Sequence, residues 1–530
     1  MIKITRTLYI ALCLTVITAV CQGCGSSGVQ GNTAATTLTN ISATTEITSN
    51  SAATATISTE SIASEETTVT IKFLGYTDNF DPTTDYTRTL ILERLGINIE
   101  PEMGNEEDKV NLILASGQEY DMIFLSNRNQ LSSFIENGVL HDLTELIDQY
   151  GNNLLTNISQ QIWEMVSVDG RKYALPICFP RDAEIGVVVR EDWLNKLDIV
   201  PPTTIEEFYE MLVAFKDNAA DLGGGAQIIP FAAVGVDSVL GFNGLIQGFG
   251  LPNSGSDYID IDGHLQVGYV QSGMKDYVTF LNKLYAEALL DADFPATTSD
   301  ALTQKMATGL LGSAIYSCWS SAALDAIQEK DPDANLVYLQ PLTGATQGRL
   351  STRGSMSQFI IVPKASKKAE EVIKYANAFL DEKNFTPLVL GTEGVHYEIK
   401  DGGYYPILPA FDDMNKGRWF YPVIATDLYT PLFAARAHKE ESMGYMYDNI
   451  NAFVKEYGYI EWKNLAPIFD EQQKYGSTLD AMERDNLVKM IIDKNELNKF
   501  DEFVSQWLDA GGRELAAAFD EWYQSLESQR

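Results

Sequence analysis

Histidine and cysteine are almost absent from this chain of 530 residues, which has four of the first and five of the second. Beyond the N-terminal stretch that ends at Cys24, only Cys178 and Cys318 remain. Two cysteines make no disulfide framework, so the core must hold the body together, and whether this pair bonds stays open. The histidines, His141, His264, His396 and His438, stand in unrelated contexts, and neither HExxH nor GxSxG occurs. The usual zinc-hydrolase and serine-hydrolase arrangements therefore have no footing. Positive charge is scarce as well: 38 Lys and Arg face 73 Asp and Glu, for a net charge of −35. Such a surface argues against nucleic acid and other polyanions as partners, and says little about a neutral ligand.

What is present begins with a leader. Lys3 and Arg6 precede an apolar run from Leu8 to Val20, the length of a signal-peptide core and short of the ~20 residues a spanning helix needs. Gly23-Cys24-Gly25-Ser26-Ser27 follows and resembles the bacterial lipobox, although Cys21 stands where Leu is usual. That reading makes 1–23 a signal peptide and Cys24 the lipidated first residue of the mature chain. Two acyl chains on Cys24 would hold where one binds only marginally. Cys21 and Cys24 also form a CxxC, which has no redox or metal role inside a cleaved leader. From 24 to 68 the chain is mostly Ser, Thr, Ala, Asn and Gly without Lys or Arg. It cannot bury enough apolar surface to offset its ordering entropy, and it reads as a tether of about 35 Å mean reach.

The remaining four hundred and more residues are enough for two lobes. Thr68–Leu74 alternates like a strand, a helix is expected over Thr87–Leu95, and a second strand over Ile97–Glu100. A helix near Val110–Ala115 then leads to the apolar strand ending at Ser126. Strands alternating with helices predict a parallel α/β sheet, with ligands at the carboxyl ends of its strands. Asp169-Gly170 and Asp262-Gly263 mark tight turns, the second within a hairpin over Tyr258–Val267. The acids of that hairpin do not make a calcium loop, because Tyr258 and Tyr269 occupy the first and last ligand positions. Thr204 with Glu207 predicts a capping box. Val372, Ile373, Ala376, Phe379 and Leu380 share one helical stripe, as do Phe500, Phe503, Val504, Trp507 and Leu508 near the C-terminus. Both stripes are core.

Several blocks in this order resemble the extracellular solute-binding proteins (family 1) of ABC sugar importers, in their large Gram-positive lipoprotein branch. The carrying residues are Gly170-Arg-Lys-Tyr-Ala-Leu-Pro, Val189-Arg-Glu-Asp-Trp-Leu-Asn-Lys-Leu, and Pro201-Pro-Thr-Thr-Ile-Glu-Glu-Phe. Gly391-Thr-Glu-Gly-Val-His-Tyr and Phe500-Asp-Glu-Phe-Val-Ser-Gln-Trp extend the match nearly to the end. The resemblance implies a type II periplasmic-binding-protein fold, α/β, with two discontinuous lobes, hinge crossings and a helical C-terminus. One lobe would take 69–175 plus 355–400, and the other 176–354 plus 401–530. Crossings are expected near Tyr173–Phe179, Arg353–Ile361 and Lys400–Tyr405. The implied function is a lipid-anchored receptor on the extracellular face of a Gram-positive membrane. It would be a monomer without cofactor or catalysis that passes a carbohydrate, leaning toward an oligosaccharide, to ABC permease subunits. Many relatives carry a calcium loop in the second lobe. Here 217–230 offers Ala, Gly and Gln where carboxylates are needed, so chelator-treated protein should show no tight calcium binding by calorimetry.

Sugar recognition needs flat aromatic faces and planar polar groups at the cleft. Tyr76, Asp78 and Asn79 follow the first strand, Asn127 and Arg128 the third, and Arg181 and Asp182 the first crossing. Tyr316 and Trp319 occupy the place where sugar-binding relatives often carry a stacking aromatic, and Trp319 is the leading candidate. Arg353 near the return crossing and Trp419-Phe420-Tyr421 on the second lobe's side complete the set. Trp193 belongs to a helix-packing motif. Two rivals stand beside the receptor. A secreted polysaccharide hydrolase could draw a carboxylate pair from 73 acids, though no spacing points to one. A lipoprotein of the same fold could serve sensing or adhesion instead of transport.

Overall fold

In the computed structural model the described residues are 68–75, 85–235, 242–416 and 420–527. The leader, Cys24 and nearly all of the tether lie outside them. The strand β1 (Val69–Gly75) is β-branched at its start and buries Ile71, Phe73 and Leu74. β2 (Ile97–Met103) and β3 (Met122–Leu125) run parallel to it on either side. The helices between them, Tyr86–Leu95 and Glu107–Ser116, both stop at a left-handed glycine, Gly96 or Gly117. The predicted alternation of strand and helix is therefore present, with the parallel pairing it implies.

After the fully buried β4 (Ala174–Cys178) the chain enters a second sheet through β5 (Ile185–Arg190). Three further strands complete that sheet: β6 (Ile229–Ala232), β7 (Leu311–Ser317) and β8 (Leu336–Tyr338). Their spatial order is β8-β5-β7-β6, with β5 antiparallel to β7 and β8. The chain then returns through β9 (Met356–Ile361), which inserts between β3 and β4 and runs antiparallel to both. The first sheet thus reads β2-β1-β3-β9-β4. Two sheets exchange the chain through 178–185 and 351–356, the first reached at the end of Tyr173–Phe179 and the second overlapping the start of Arg353–Ile361. Gly354 stands at the second of these with φ 116°, a backbone state that suits glycine. A Cβ there would also lie 2.9 Å from Ile460 Cδ1.

The third crossing is placed differently. Tyr397–Lys400 and Gly403–Pro406 form a hairpin around Asp401 and Gly402, both at positive φ. Asp-Gly supplies the two left-handed residues of a tight hairpin turn, so the chain reverses there instead of crossing. Residues beyond it stay on the first sheet. Met414 O accepts from Thr87 Oγ1, Phe420 O from Tyr375 Oη, and Ile424 N donates to Pro176 O. The helix Thr426–Ala437 follows, and only the next helix, Glu441–Asn451, binds the second sheet, through Asn449 to Tyr338 N and Asn451 to Ala183 N.

Local readings elsewhere hold. Thr204 Oγ1 accepts from Glu207 N at 3.2 Å while Glu207 Oε2 accepts from Thr204 N at 3.1 Å, a complete capping box. Tyr258–Ile261 and His264–Val267 form the second hairpin, and Tyr258 stacks on Phe519 of the last helix at 3.9 Å. Long C-terminal helices, Asp470–Ile492, Phe500–Trp507 and Arg513–Glu527, cover the second lobe, and Phe500, Phe503 and Trp507 are buried in its core. Each such side chain contributes about 1.5–3 kcal/mol relative to exposure. Trp193 is buried edge-on against Phe215, as its motif predicts. Cys178 and Cys318 are both buried and unbonded. Burial pushes each thiol up to about 12, so neither is a nucleophile at neutral pH.

Candidate functional site

Where the chain crosses between sheets it encloses a cavity of about 390 Å³. Phe124 from β3, Phe179 after β4, and Trp319 after β7 line it from both sheets. Tyr429, Phe433 and Arg436, at four- and three-residue intervals along the helix Thr426–Ala437, close one side. A second cavity of about 360 Å³ shares Phe179 and Arg353 with the first and is lined by Glu184, Asn243, Asn253 and Asn464. The first is mainly aromatic and the second mainly polar, and Phe179 and Arg353 border both.

Arg353 is the joint of the site. Its Nε and Nη2 donate to the two oxygens of Asp182 at 2.7 Å each, and Nη1 pairs with Glu184 at 2.9 Å. The guanidinium lies 4.7 Å from the ring centre of Phe179 and 5.1 Å from that of Phe433. Asp182 is 1 % exposed and also accepts from Tyr447 Oη at 3.0 Å. Burial, with Asp182 beside it, raises the Tyr447 hydroxyl far above the ordinary tyrosine range, so it remains a donor. Trp319 is fixed by Nε1 donating to Glu184 Oε1 at 2.7 Å, with Phe433 edge-on at 5.7 Å and Tyr447 at 5.6 Å. Its indole is half-buried and faces a cavity that a ring-shaped ligand could fill. The arrangement offers stacking faces and fixed hydrogen-bond donors.

Of the residues read from the sequence, the structure brings Trp319 and Arg353 together here. Asp182 lies directly behind Arg353, its carboxylate committed to that pair. Tyr316 is elsewhere: it is buried, donates to Ser320 O at 3.0 Å, and lines a separate cavity of about 160 Å³. Arg181 lines a different cavity, together with Gly354 and Asp427. Arg128 reaches from the end of β3 to Ala466 O at 2.7 Å, joining the first lobe to the segment before the long C-terminal helix. Burial lowers this guanidinium to about 10. Asn127 beside it is exposed. Tyr421 lines the cavity and Phe420 is buried against Phe73, which puts this pair on the first lobe, not the second. Tyr76, Asp78, Asn79 and Trp419 lie outside the described residues. Sequence reasoning misses Phe179, Phe433, Arg436 and Lys439; the helical stripe Tyr429-Phe433-Arg436 is the available signal.

Among the described residues no group of three or more His, Cys, Asp or Glu is placed to hold a metal ion. None of their helices is long and apolar enough to cross a membrane.

The sequence model of the bacterial extracellular solute-binding protein family matches residues 84–384. Lipoprotein LipO of Bacillus subtilis is 25% identical over 435 residues, spanning 79% of this chain and 84% of LipO. The polygalacturonan/rhamnogalacturonan-binding protein YtcQ of the same organism is 25% identical over 305 residues, 55% of this chain and 59% of YtcQ. Among solved structures, the Streptococcus pneumoniae ABC-transporter substrate-binding protein FusA in complex with kestose superposes with a TM-score of 0.65 at 17% identity. That match covers 87% of this chain and all of FusA (100%).

Proposed function

Because the chain belongs to the bacterial extracellular solute-binding proteins, we propose that it is the lipid-anchored receptor of an ABC importer and captures an oligosaccharide in the groove between its lobes. The observation that carries this reading is the cavity at the crossings, walled by both sheets and faced with Trp319, Phe179, Phe433 and Tyr429. The polar second cavity shares Phe179 and Arg353 with it, and the two together give room for more than one sugar ring. LipO is named as a lipoprotein, which supports the anchor at Cys24. The names of FusA and YtcQ attach one relative to a transporter and another to polysaccharide. A permease pair would be the receiving partner.

Hydrolysis is disfavoured by the lining itself. Two carboxyl groups flanking a glycosidic bond are needed for that chemistry, and among the described residues no Asp or Glu lines the central cavity. A thermal-shift screen against di- to hexasaccharides tests the proposal, because a ligand that binds only the native state raises apparent stability by mass action. Saturable stabilisation without released sugar is expected. Turnover of a stabilising sugar, or no response to any, would overturn it. Trp319→Ala should weaken whichever sugar is found at least tenfold, about 1.4 kcal/mol, with the melting temperature little changed. Unchanged affinity removes Trp319 from the site.

A further inference from the structure

The central cavity has a charge pattern opposite to that of the whole chain. Acidic residues outnumber basic ones 73 to 38 in the sequence, yet among the described residues Arg353, Arg436 and Lys439 line the cavity and no carboxylate does. Two of these cations are already matched: Arg353 by Asp182 and Glu184, and Lys439 by Asp412. Arg436 is not. It makes no ion pair or hydrogen bond with the described residues, and its Nη2 is buried without a partner. Only ring faces hold it, with the guanidinium carbon 5.3 Å from the Tyr429 centre and 5.5 Å from the Phe433 centre. Leaving a buried guanidinium nitrogen unpaired costs free energy that an anion in the cavity would recover.

Neutral sugars present hydroxyl hydrogens as well as oxygens, and sites for them ordinarily supply carboxylate acceptors. Here the charged groups that face the cavity among the described residues are donors only. Guanidinium matches carboxylate in a planar, two-point geometry, whereas a sugar hydroxyl satisfies one N–H at a time. We propose that the captured saccharide is acidic, a uronide, and that one of its carboxylates pairs with Arg436 while its ring stacks in the aromatic part of the groove. This rests on the oligosaccharide-receptor reading and deepens it. The acidic surface does not forbid such a ligand. At physiological ionic strength exposed charges are screened beyond about 8 Å, and Arg436 acts at contact distance.

The test is isothermal titration of the full chain with di- to tetrasaccharides of galacturonic, glucuronic and mannuronic acid. Each is paired with its carboxyl-reduced form, in which the carboxylate becomes a neutral hydroxymethyl group and the linkage stays unchanged. One acid should bind at least thirtyfold more tightly than its reduced partner. Arg436→Gln should cut binding of that acid tenfold or more, leave the reduced form within threefold, and not lower the melting temperature. Equal or tighter binding of the reduced form, or of neutral oligosaccharides alone, overturns the acidic assignment and leaves the receptor reading standing. An unchanged affinity in Arg436→Gln overturns the role given to this residue. Failure of every saccharide, acidic or neutral, overturns both.

Discussion

Arg353→Met should destabilise the two-lobed body by on the order of 3–5 kcal/mol, the usual cost of stripping one partner from a buried ion pair. Asp182, 1 % exposed, would keep only the Tyr447 hydroxyl as a side-chain partner. The pair is also a seam. Arg353 N donates to Asp182 O at 2.8 Å, Thr352 N to Tyr459 O at 2.8 Å, and Phe179 N to Ser355 O at 2.9 Å. The first and third of these bonds bind the first crossing to the second on either side of Gly354, and the Thr352 bond ties the second crossing to Tyr459. Asp182→Asn should cost less, since the amide oxygen still accepts from the guanidinium. Joint replacement by Met and Leu should recover much of the loss, because two apolar groups need no hydrogen bonds, although Tyr447 then loses its acceptor. Urea unfolding of the two single variants and the double variant closes the cycle. A single-variant loss below about 1 kcal/mol would mean that solvent reaches Asp182 and that the buried pair is not what joins the crossings.

How far the sequence reaches depends on the range of the interactions involved. Periodicity and turn chemistry are local, so the first three strands, both hairpins and the capping box at Thr204 are legible from short windows. The partners of Arg353 are not. Asp182 lies 171 positions earlier and Tyr447 on a helix of the opposite end of the chain, and no pattern in the sequence links them. Asp182 therefore read as a residue of the cleft rim, while its carboxylate is used up behind it. The resemblance predicts a crossing at Lys400–Tyr405 although Asp401-Gly402 supplies the turn of a hairpin, so the local signal is the better guide there. The stripe of Tyr429, Phe433 and Arg436 has helical spacing that fits a core as well as a cavity wall. Only the third member, a cation on an apolar face, distinguishes the two. Net charge misleads in the same way. It averages over the surface and carries no information about which side chains line a cavity of 390 Å³.

Stability should fall as pH rises from about 4.5 to about 8, and Glu461 is one of the groups that set this slope. Glu461 is 3 % exposed. Its Oε1 accepts from Asn253 N at 3.2 Å, while Oε2 is buried without a partner. Burial first, and then the charge of Asp257, push its pKa from 4.5 up to about 8. Asp257 is itself buried and raised by desolvation, with Lys463 at 3.7 Å as its cation. In the unfolded chain Glu461 releases its proton near 4.5, whereas the folded chain keeps it until about 8. The folded state therefore binds more protons across that window. The stabilising contribution is complete below the lower value and is lost as pH rises through the upper one. Glu461→Gln keeps the shape and removes the titration. It should match the parent protein near pH 5 and exceed its stability near pH 9 by on the order of 3 kcal/mol. Urea midpoints measured from pH 5 to 9 give the comparison, and parallel profiles for the two proteins would sink the assignment. The consequence reaches the ligand groove. Tyr459, two residues from Glu461, pairs with Ser351 and accepts from Thr352 beside Arg353. A charge forced onto Glu461 thus loosens the strand that carries Arg353, and saccharide affinity should decline over the same pH range in the parent protein and not in Glu461→Gln.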